Sequence, residues 1–251
     1  MKQRRSEKNE SKMTESQVEN LRHDVTTLVF DLYGTVVDMQ TGLTEMVRPF
    51  LKEKRWNGDP HRFVTWWRRV HFENSMIDAL CDRGHTPYRE IGHRAVAHVM
   101  DRSGIPYSRQ EVRWLVSRIE RLEPFPDVLQ ALRRLKQRYG LAVLSNGDRD
   151  MLEAARPHIG FEFDAMISVE EAGYFKPHFA TYAKACEILG TRPSAVLFVA
   201  NHAFDCIGAK AHGMRTAFID RRRRPFGETP HGPDLIVKDF RSLADLMCAA
   251  G

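Results

Sequence analysis

A short apolar stretch that ends in an acid constrains the fold of this chain more than any other feature. Residues 26–30 have the length and the β-branched content of a buried strand, and Asp31 follows directly. Gly34 permits a sharp turn, and Thr35 brings a hydroxyl close to the acid. Ligands of open α/β sheets bind at the carboxyl ends of strands, where a carboxylate can attack and form an ester. An aspartate that only caps the turn explains the same residues, so both interpretations stay open at this point.

Further apolar stretches of strand length alternate with helical patterns in the second half of the chain. The predicted strands are residues 141–144, 165–169, 195–199 and 216–219. The predicted helices are residues 128–139, 150–156, 178–189 and 204–212. Such alternation is typical of parallel βαβ crossovers, in which helices pack on the faces of a sheet. The sequence therefore predicts an α/β fold with a Rossmann-like, doubly wound parallel sheet.

The segment that follows the first strand has a different pattern. Over about eighty residues its apolar side chains recur at helical spacing, without a β-branched run of strand length. The amino-terminal segment is instead charged and poor in apolar residues, which is typical of disorder. The expected division is a disordered or loosely helical tail at residues 1–23, a core at residues 24–40 and 124–251, and an all-helical cap at residues 41–123.

Composition argues against several classes of function. The net charge of +5 arises largely from two basic runs, residues 2–12 and 221–224, which we interpret as a tail and a solvated face rather than a nucleic-acid surface. The four cysteines lie far apart and lack the spacing of a zinc site. The chain shows no signal-peptide segment and no apolar run of membrane-spanning length. We therefore expect a cytoplasmic protein that binds neither nucleic acid nor membrane.

Polar side chains follow four of the predicted strands, at the point where each strand ends. They are Asp31, Ser145 with Asn146, Lys176 just after the third strand, and Asn201-His202 with Asp205. Each signal is weak alone, because Lys176 can be a surface lysine and Asp205 can be an acid that favours a helix amino terminus. A doubly wound sheet brings these strand ends to one crevice. Together they predict an active site there.

In this order the motifs resemble those of the haloacid dehalogenase superfamily and, within it, the type II (S)-2-haloacid dehalogenases. The matching motifs are Phe30-Asp31-Leu32-Tyr33-Gly34-Thr35, Ser145-Asn146-Gly147, Lys176-Pro177 with Tyr182, Phe204-Asp205 and, in the cap, Trp67-Arg68. The resemblance covers about residues 24 to 245. It implies hydrolytic dehalogenation of short (S)-2-haloalkanoic acids to (R)-2-hydroxyalkanoic acids through an aspartyl ester. It implies no cofactor and no metal, a small 2-haloacid and a halide ion as partners, and it allows a homodimer.

The resemblance also implies a role for each residue of the site. Asp31 is the nucleophile, Thr35 and Lys176 hold its carboxylate, and Tyr182 and Asp205 are placed around Lys176. Ser145 and the backbone amides of Leu32 and Asn146 bind the substrate carboxylate, Arg68 and Asn146 receive the halide, and Tyr33, Phe72 and Phe204 form apolar walls. His202 stands where the family often has an asparagine. It would handle the hydrolytic water or only hydrogen-bond the loop, and both interpretations stay open.

Tyr33 distinguishes this chain from phosphatases of the superfamily, which carry an acid two residues after the nucleophile. A phenol with a pKa of about 10 is a poor general acid near neutral pH. The residues before Asp205 are Ala200, Asn201 and His202, where phosphatases place metal-binding acids and many dehalogenases have Ser-Ser-Asn. This departure leaves the water step and the substrate range open. The alternatives are a phosphatase, an enzyme that opens a strained ring beside a carboxylate, and a non-catalytic binding protein on the same fold.

Overall fold

The computed structural model describes residues 13–82, 84–223 and 226–249. Six strands of these residues form one sheet, in the order β3-β2-β1-β4-β5-β6. The strands are β1 (Thr27–Phe30), β2 (Gly140–Ser145), β3 (Ala165–Ser168), β4 (Val196–Ala200), β5 (Arg215–Ile219) and β6 (Leu235–Val237). Each neighbouring pair is parallel. The predicted α/β class with a parallel sheet is confirmed.

Ten α-helices accompany the sheet in the described residues. They are α1 (Glu15–Asp24), α2 (Met39–Glu53), α3 (Pro60–Cys81), α4 (Tyr88–Arg102), α5 (Arg109–Ser117), α6 (Val128–Leu135), α7 (Arg149–Ile159), α8 (Phe179–Leu189), α9 (Ala203–Ala211) and α10 (Phe240–Met247). Among the helices that the structure describes, none has the length and apolar character needed to span a membrane.

The central strand β1 positions the candidate nucleophile. It pairs with β2 on one side and β4 on the other, so that Phe30 lies opposite Val143 and Val199. The Asp31 N–H continues this pairing and donates to the Val199 carbonyl at 3.0 Å. The strand order reverses at β1, since β2 and β3 lie on one side of it and β4, β5 and β6 lie on the other. Such a switch point opens a crevice at the carboxyl ends of the strands. Asp31 lies at that crevice.

Helices α2 to α5 form the cap that is inserted between β1 and α6. Two chain segments connect it to the core, and they pair with each other through an antiparallel bridge between Val37 and Pro124. The Asp38 N–H donates to the Glu123 carbonyl at 3.0 Å, which extends the pairing. The Asp38 side chain accepts from the Thr41 N–H and caps α2. Helix α2 therefore begins at Met39, directly after its capping residue Asp38.

The amino-terminal region was predicted to be a disordered or loosely helical tail. Residues 1–12 lie outside the described part of the chain. Disorder is the wrong prediction for α1, which starts with a capping box between Thr14 and Gln17. Val18 and Leu21 are buried on its inner face, and Arg22 Nε donates to the Leu246 carbonyl at 2.7 Å. Two apolar residues at helical spacing are therefore enough to dock a segment whose overall charge resembles that of a tail.

The basic run at residues 221–224 was interpreted as a solvated face, and this is wrong for Arg221. Its guanidinium lies 3.8 Å from the centre of the Phe125 ring. Its Nη1 donates to Asp127 Oδ1 at 2.9 Å, and its Nη2 donates to the Thr35 carbonyl at 3.2 Å. A planar guanidinium can stack on a ring and form hydrogen bonds at the same time, which explains how an arginine in a charged run comes to pack against the core. Arg224 lies outside the described residues.

Gly208 in α9 allows close packing against the side chains that support the site. A β-carbon at this position would lie 2.6 Å from the Tyr182 hydroxyl oxygen and 2.7 Å from Pro177 Cβ. We expect Gly208→Ala to lower the free energy of unfolding by about 1–3 kcal/mol, because overpacking strains the core. This loss should outweigh the usual preference of helices for alanine. Urea unfolding followed by circular dichroism measures the change.

Gly232 is a matched control, because a β-carbon there would meet no atom within 4 Å. Gly232→Ala should leave the urea midpoint essentially unchanged. A Gly208→Ala variant as stable as the wild type would contradict the close packing of α9 on Tyr182.

Candidate active site

The carboxylate of Asp31 receives hydrogen bonds on both of its oxygens. Lys176 Nζ donates to Oδ1 at 2.8 Å, and Thr35 Oγ1 donates to Oδ2 at 2.6 Å. His202 Nδ1 lies 3.2 Å from Oδ2. Because an ionised carboxylate can only accept, the proton of this bond belongs to Nδ1 of the histidine. These donors fix the orientation of the carboxylate at the end of β1.

The ammonium group of Lys176 lies between two buried carboxylates. Besides its bond to Asp31, Nζ donates to Asp205 Oδ2 at 2.6 Å and to the Leu144 carbonyl at 2.9 Å. An ammonium has three N–H donors, so these bonds satisfy it completely. The Tyr182 hydroxyl donates to Asp205 Oδ1 at 2.6 Å. Lys176, Asp205 and Tyr182 therefore support Asp31 from inside the core, as the resemblance implies.

The electrostatic environment keeps Asp31 ionised. Burial by itself would raise its pKa, but the Lys176 ammonium and the hydrogen bond from His202 lower the pKa of Asp31 below its usual range. Burial disfavours the charged form of Lys176, yet the charges of Asp205 and Asp31 raise its pKa. Burial raises the pKa of Asp205, against the effect of Lys176. At neutral pH the site therefore presents Asp31 as an anion, the form that can act as a nucleophile.

Asn201 holds the turn that carries Thr35. The Asn201 N–H donates to Thr35 Oγ1 at 2.9 Å, and its Nδ2 donates to the Gly34 carbonyl at 3.0 Å. The Asn201 N–H thus occupies one lone pair of Thr35 Oγ1, while the Thr35 hydroxyl donates its proton to Asp31 Oδ2. Asn201 was predicted to be one of the polar residues at the strand ends and to depart from the family pattern, without a specific role. Its contacts make it a residue that orients the hydroxyl beside the nucleophile.

A cavity of about 630 Å³ lies above Asp31, between the core and the cap. Eight of the predicted site residues line it: Asp31, Tyr33, Arg68, Phe72, Asn146, Lys176, His202 and Phe204. The structure places five others in buried positions near it: Leu32, Thr35, Ser145, Tyr182 and Asp205. Ser145 Oγ accepts from the Gly147 N–H at 3.1 Å, which leaves its hydroxyl proton to donate elsewhere.

Arg68 brings a positive charge from the cap to the cavity. Its Nη1 donates to Gln40 Oε1 at 2.9 Å. Burial and, to a smaller extent, the nearby Arg222 lower the pKa of Arg68 to about 10, so it remains charged at neutral pH. A β-carbon on Gly34 would lie 3.1 Å from Arg68 Nη2 and 3.1 Å from His202 Cε1. The glycine of the nucleophile turn therefore leaves space for the guanidinium and the imidazole to approach.

Aromatic rings form the remaining walls of the cavity. Phe72 of the cap contacts Phe204 of the core, with ring centres 4.4 Å apart. Tyr33 stacks on Tyr88 of α4 at 5.8 Å, with an angle of 5° between the planes. Burial, with a smaller effect from Tyr88, raises the pKa of Tyr33 well above its usual value. Tyr33 is therefore a wall of the site and a weaker acid than a free phenol.

Several residues of the cavity were not predicted from the sequence. They are Met39, Gln40, His61, Thr65, Arg69, Ser75, Tyr88 and Arg222. Gln40 is the partner of Arg68, and Tyr88 is the partner of Tyr33. Both pairings join segments that are distant in the chain, and no spacing rule connects them. Only the packing of α3 on α2 and of α4 on the core reveals these contacts.

Several known proteins are similar to this chain. A family model described as haloacid dehalogenase-like hydrolase matches residues 25–213. The (S)-2-haloacid dehalogenase of Xanthobacter autotrophicus is 34% identical over 196 residues, which are 77% of this chain and 74% of the relative. The haloacetate dehalogenase H-2 of Moraxella sp. (strain B) is 29% identical over 223 residues, 88% of this chain and 96% of the relative.

Solved structures are similar over most of the chain. The L-2-haloacid dehalogenase of Xanthobacter autotrophicus with chloropropionic acid covalently bound superposes with a TM-score of 0.79 at 28% identity, covering 90% of this chain and 100% of that one. The defluorinating L-2-haloacid dehalogenase Rha0230 gives a TM-score of 0.80 at 28% identity, covering 90% and 96%. The resemblance found in the motifs is thus confirmed, and the chain belongs to the haloacid dehalogenase-like hydrolases.

Proposed function

We propose that this protein hydrolyses short (S)-2-haloalkanoic acids to (R)-2-hydroxyalkanoic acids and halide, with Asp31 as the nucleophile. The observation that carries the proposal is an ionised Asp31 carboxylate that faces the same cavity as the charged Arg68. A carboxylate can displace a halide, and a guanidinium can stabilise the anion that leaves. Relatives named as haloacid dehalogenases, one of them with chloropropionic acid covalently bound, support this reaction class.

In the first half-reaction an oxygen of Asp31 attacks the substrate Cα on the side opposite the halogen. The carbon–halogen bond breaks with its electron pair on the halide, and the configuration at Cα inverts. No proton is needed. Arg68 receives the halide together with Asn146. The side-chain carbonyl of Asn146 accepts from the backbone N–H of Lys176 at 3.0 Å, so the protons of its side-chain amide remain as donors. The substrate carboxylate binds the Ser145 hydroxyl and the backbone amides of Leu32 and Asn146.

In the second half-reaction water attacks the carbonyl carbon of the Asp31 ester. The ester oxygen leaves on the product as its hydroxyl, and Asp31 regains a carboxylate with one oxygen from water. One proton is released overall. His202 lines the cavity, and its Nδ1 already bonds Asp31, so in the neutral ring Nε2 is the acceptor that can take a proton from water. Asp205 is less suitable because Lys176 and Tyr182 engage both of its oxygens.

The phosphatase alternative fits the site poorly. Tyr33 occupies the position of the general acid, and burial, which raises its pKa well above the usual value, makes it a weak acid there. Among the described residues, the hydrogen bonds of Asp31 lead through Lys176 to a single further carboxylate, Asp205. Magnesium prefers several oxygen ligands in an octahedral arrangement, and this donor set does not provide them.

One assay separates these functions. Halide release should be observed with (S)-2-chloropropionate, should be much slower with the (R) enantiomer, and should retain its kcat in EDTA. Phosphate release from p-nitrophenyl phosphate with magnesium should stay at background. A strict magnesium requirement, or phosphate release faster than halide release, would contradict the proposal.

The configuration of the product tests the order of the two steps. Displacement at Cα followed by hydrolysis at the Asp31 carbonyl inverts the chiral centre once, so (S)-2-chloropropionate should give (R)-lactate. Chiral chromatography of the product measures the outcome. A product with retained configuration, or a racemic product, is incompatible with one displacement followed by acyl hydrolysis.

Arg68 is expected to contribute directly to halide departure. Arg68→Ala should lower kcat by about 10²-fold or more, the effect of losing one well-placed group that stabilises charge. Steady-state halide release measures the change. The exposed Arg62 lies on the same helix, and Arg62→Ala is the matched control that should keep its activity. Turnover by Arg68→Ala close to the wild-type rate would remove Arg68 from the mechanism.

His202 is expected to act on the ester rather than on the substrate. His202→Ala leaves the nucleophile and the halide site in place, so Asp31 should still attack and the ester should accumulate. Mass spectrometry of the peptide that contains Asp31 should detect the adduct after mixing with substrate. His202→Asn should restore part of the turnover, because an amide can also hold water. Full turnover by His202→Ala without an adduct would assign the water to another group.

A further inference from the structure

Three potential metal ligands come together at the boundary between cap and core. The side chains are His85, Asp148 and Glu170, and one ligand atom of each lies within 4.8 Å of the others. His85 belongs to the loop between α3 and α4 of the cap. Asp148 precedes α7, and Glu170 belongs to a short 3₁₀ helix that follows β3, so both acids belong to the core. The cluster therefore has ligands from both domains.

The backbone holds both carboxylates in place. Asp148 Oδ1 accepts from the Tyr88 N–H at 2.6 Å, and Oδ2 accepts from the Arg89 N–H at 2.9 Å. Glu170 Oε2 accepts from the Arg149 N–H at 2.6 Å. Each carboxylate oxygen has two lone pairs, so these bonds leave acceptor capacity on both acids. The two acids are thus oriented in advance and can still coordinate an ion.

His85 is the unusual member of the cluster. Both ring nitrogens are buried, and neither has a hydrogen-bond partner among the described residues. The ring packs on Phe175, with centres 4.6 Å apart. The next residue anchors the loop, since Thr86 Oγ1 donates to Asp78 Oδ1 at 2.6 Å. A buried polar group without a partner is unfavourable, and a neutral imidazole nitrogen is a common metal ligand.

The charges of the two acids also favour a cation between them. Asp148 and Glu170 each bring a carboxylate oxygen within 4.8 Å of the other, and two carboxylates this close repel each other when both are ionised. A positive ion between the carboxylates would remove this repulsion. A groove lined by Pro87, Arg89, Asp148, Arg149, Asp150, Glu153 and Glu170 provides an entry path from the surface.

We propose that His85, Asp148 and Glu170 bind a divalent cation of the zinc type, which ties the cap to the core. One imidazole nitrogen and two carboxylate oxygens are a donor set that zinc accepts, with water as the fourth ligand. Donors about 2.1 Å from one ion are separated by about 3.4 Å in a tetrahedral site, so the three ligand atoms, which lie within 4.8 Å of one another, would move closer together on the metal.

The site is separate from the proposed chemistry but connected to the cavity. Asp148 accepts a hydrogen bond from the backbone N–H of Tyr88, and the Tyr88 ring stacks on Tyr33, close to the proposed nucleophile. A bound ion would therefore stabilise the position of the Tyr88 wall. It would not take part in halide displacement, which uses Asp31 and Arg68. Zinc binding at this site therefore does not depend on whether the protein is a dehalogenase.

Zinc titration of the metal-stripped full-length protein tests the proposal. In a competition assay with a chromophoric chelator, the wild type should bind one equivalent of Zn²⁺ that His85→Ala binds at least about tenfold more weakly. Glu170→Gln keeps an acceptor for the Arg149 N–H and should show the same loss. His98→Ala removes an exposed histidine of the same cap and should bind like the wild type.

Thermal unfolding provides a second readout that does not depend on activity. Zinc at about 100 times its Kd should raise the melting temperature of the wild type by roughly 5–10 °C, and the increase should vanish in His85→Ala and Glu170→Gln. Equal zinc affinity in His85→Ala and the wild type would overturn the proposal. So would a wild type without a zinc-dependent shift, which would make His85 only a buried neighbour of the two acids.

Discussion

The active site depends on one ammonium group. Lys176 Nζ bonds Asp31, Asp205 and the Leu144 carbonyl, and so connects the ends of β1 and β2 with the start of α9. Two carboxylates buried this closely would repel each other without a cation, and burial of any of the three charges alone would be strongly unfavourable. Since all three N–H donors are used, the ammonium has one defined position. The orientation of the proposed nucleophile follows from that position, and the turn with Gly34 and Thr35 completes it.

The cap contributes what the core lacks. The strand ends supply a fixed carboxylate and its supporting charges, whereas Arg68, Phe72 and Tyr88 reach the cavity from α3 and α4. Gly34 makes this arrangement possible, because a side chain there would meet both Arg68 and His202. The cavity is therefore lined by residues of both domains, and the contacts that join the domains set the surroundings of the proposed nucleophile.

The sequence predicted those parts of the site that parallel topology controls. Asp31, Asn146, Lys176 and His202 follow strand ends, and a doubly wound sheet brings such ends together whatever the loops do. Contacts that depend on packing could not be predicted. The charge of residues 1–23 obscured the two apolar residues that dock α1, and the short β6 lacks a recognisable periodic pattern. Gln40, Tyr88 and the His85 cluster join residues that are distant in sequence, and no spacing rule connects them. The sequence pattern thus predicts the polar residues at the strand ends, whereas the residues that contact them are known only from the tertiary structure.

Two neighbouring residues of the loop after β4, Asn201 and His202, have different roles. Asn201 donates both its backbone N–H and its side-chain amide to the turn that carries Thr35, and it is buried. It therefore orients the hydroxyl beside Asp31 and does not line the cavity. His202 is the next residue, and because the chain is extended there its ring faces the cavity instead, at hydrogen-bond distance from Asp31. Both carboxylate oxygens of Asp205 accept hydrogen bonds, from Lys176 and from Tyr182. The His202 imidazole is therefore the proton acceptor by which this loop lines the cavity. The departure from the family pattern therefore changes the group proposed to handle water while it preserves the support of the nucleophile.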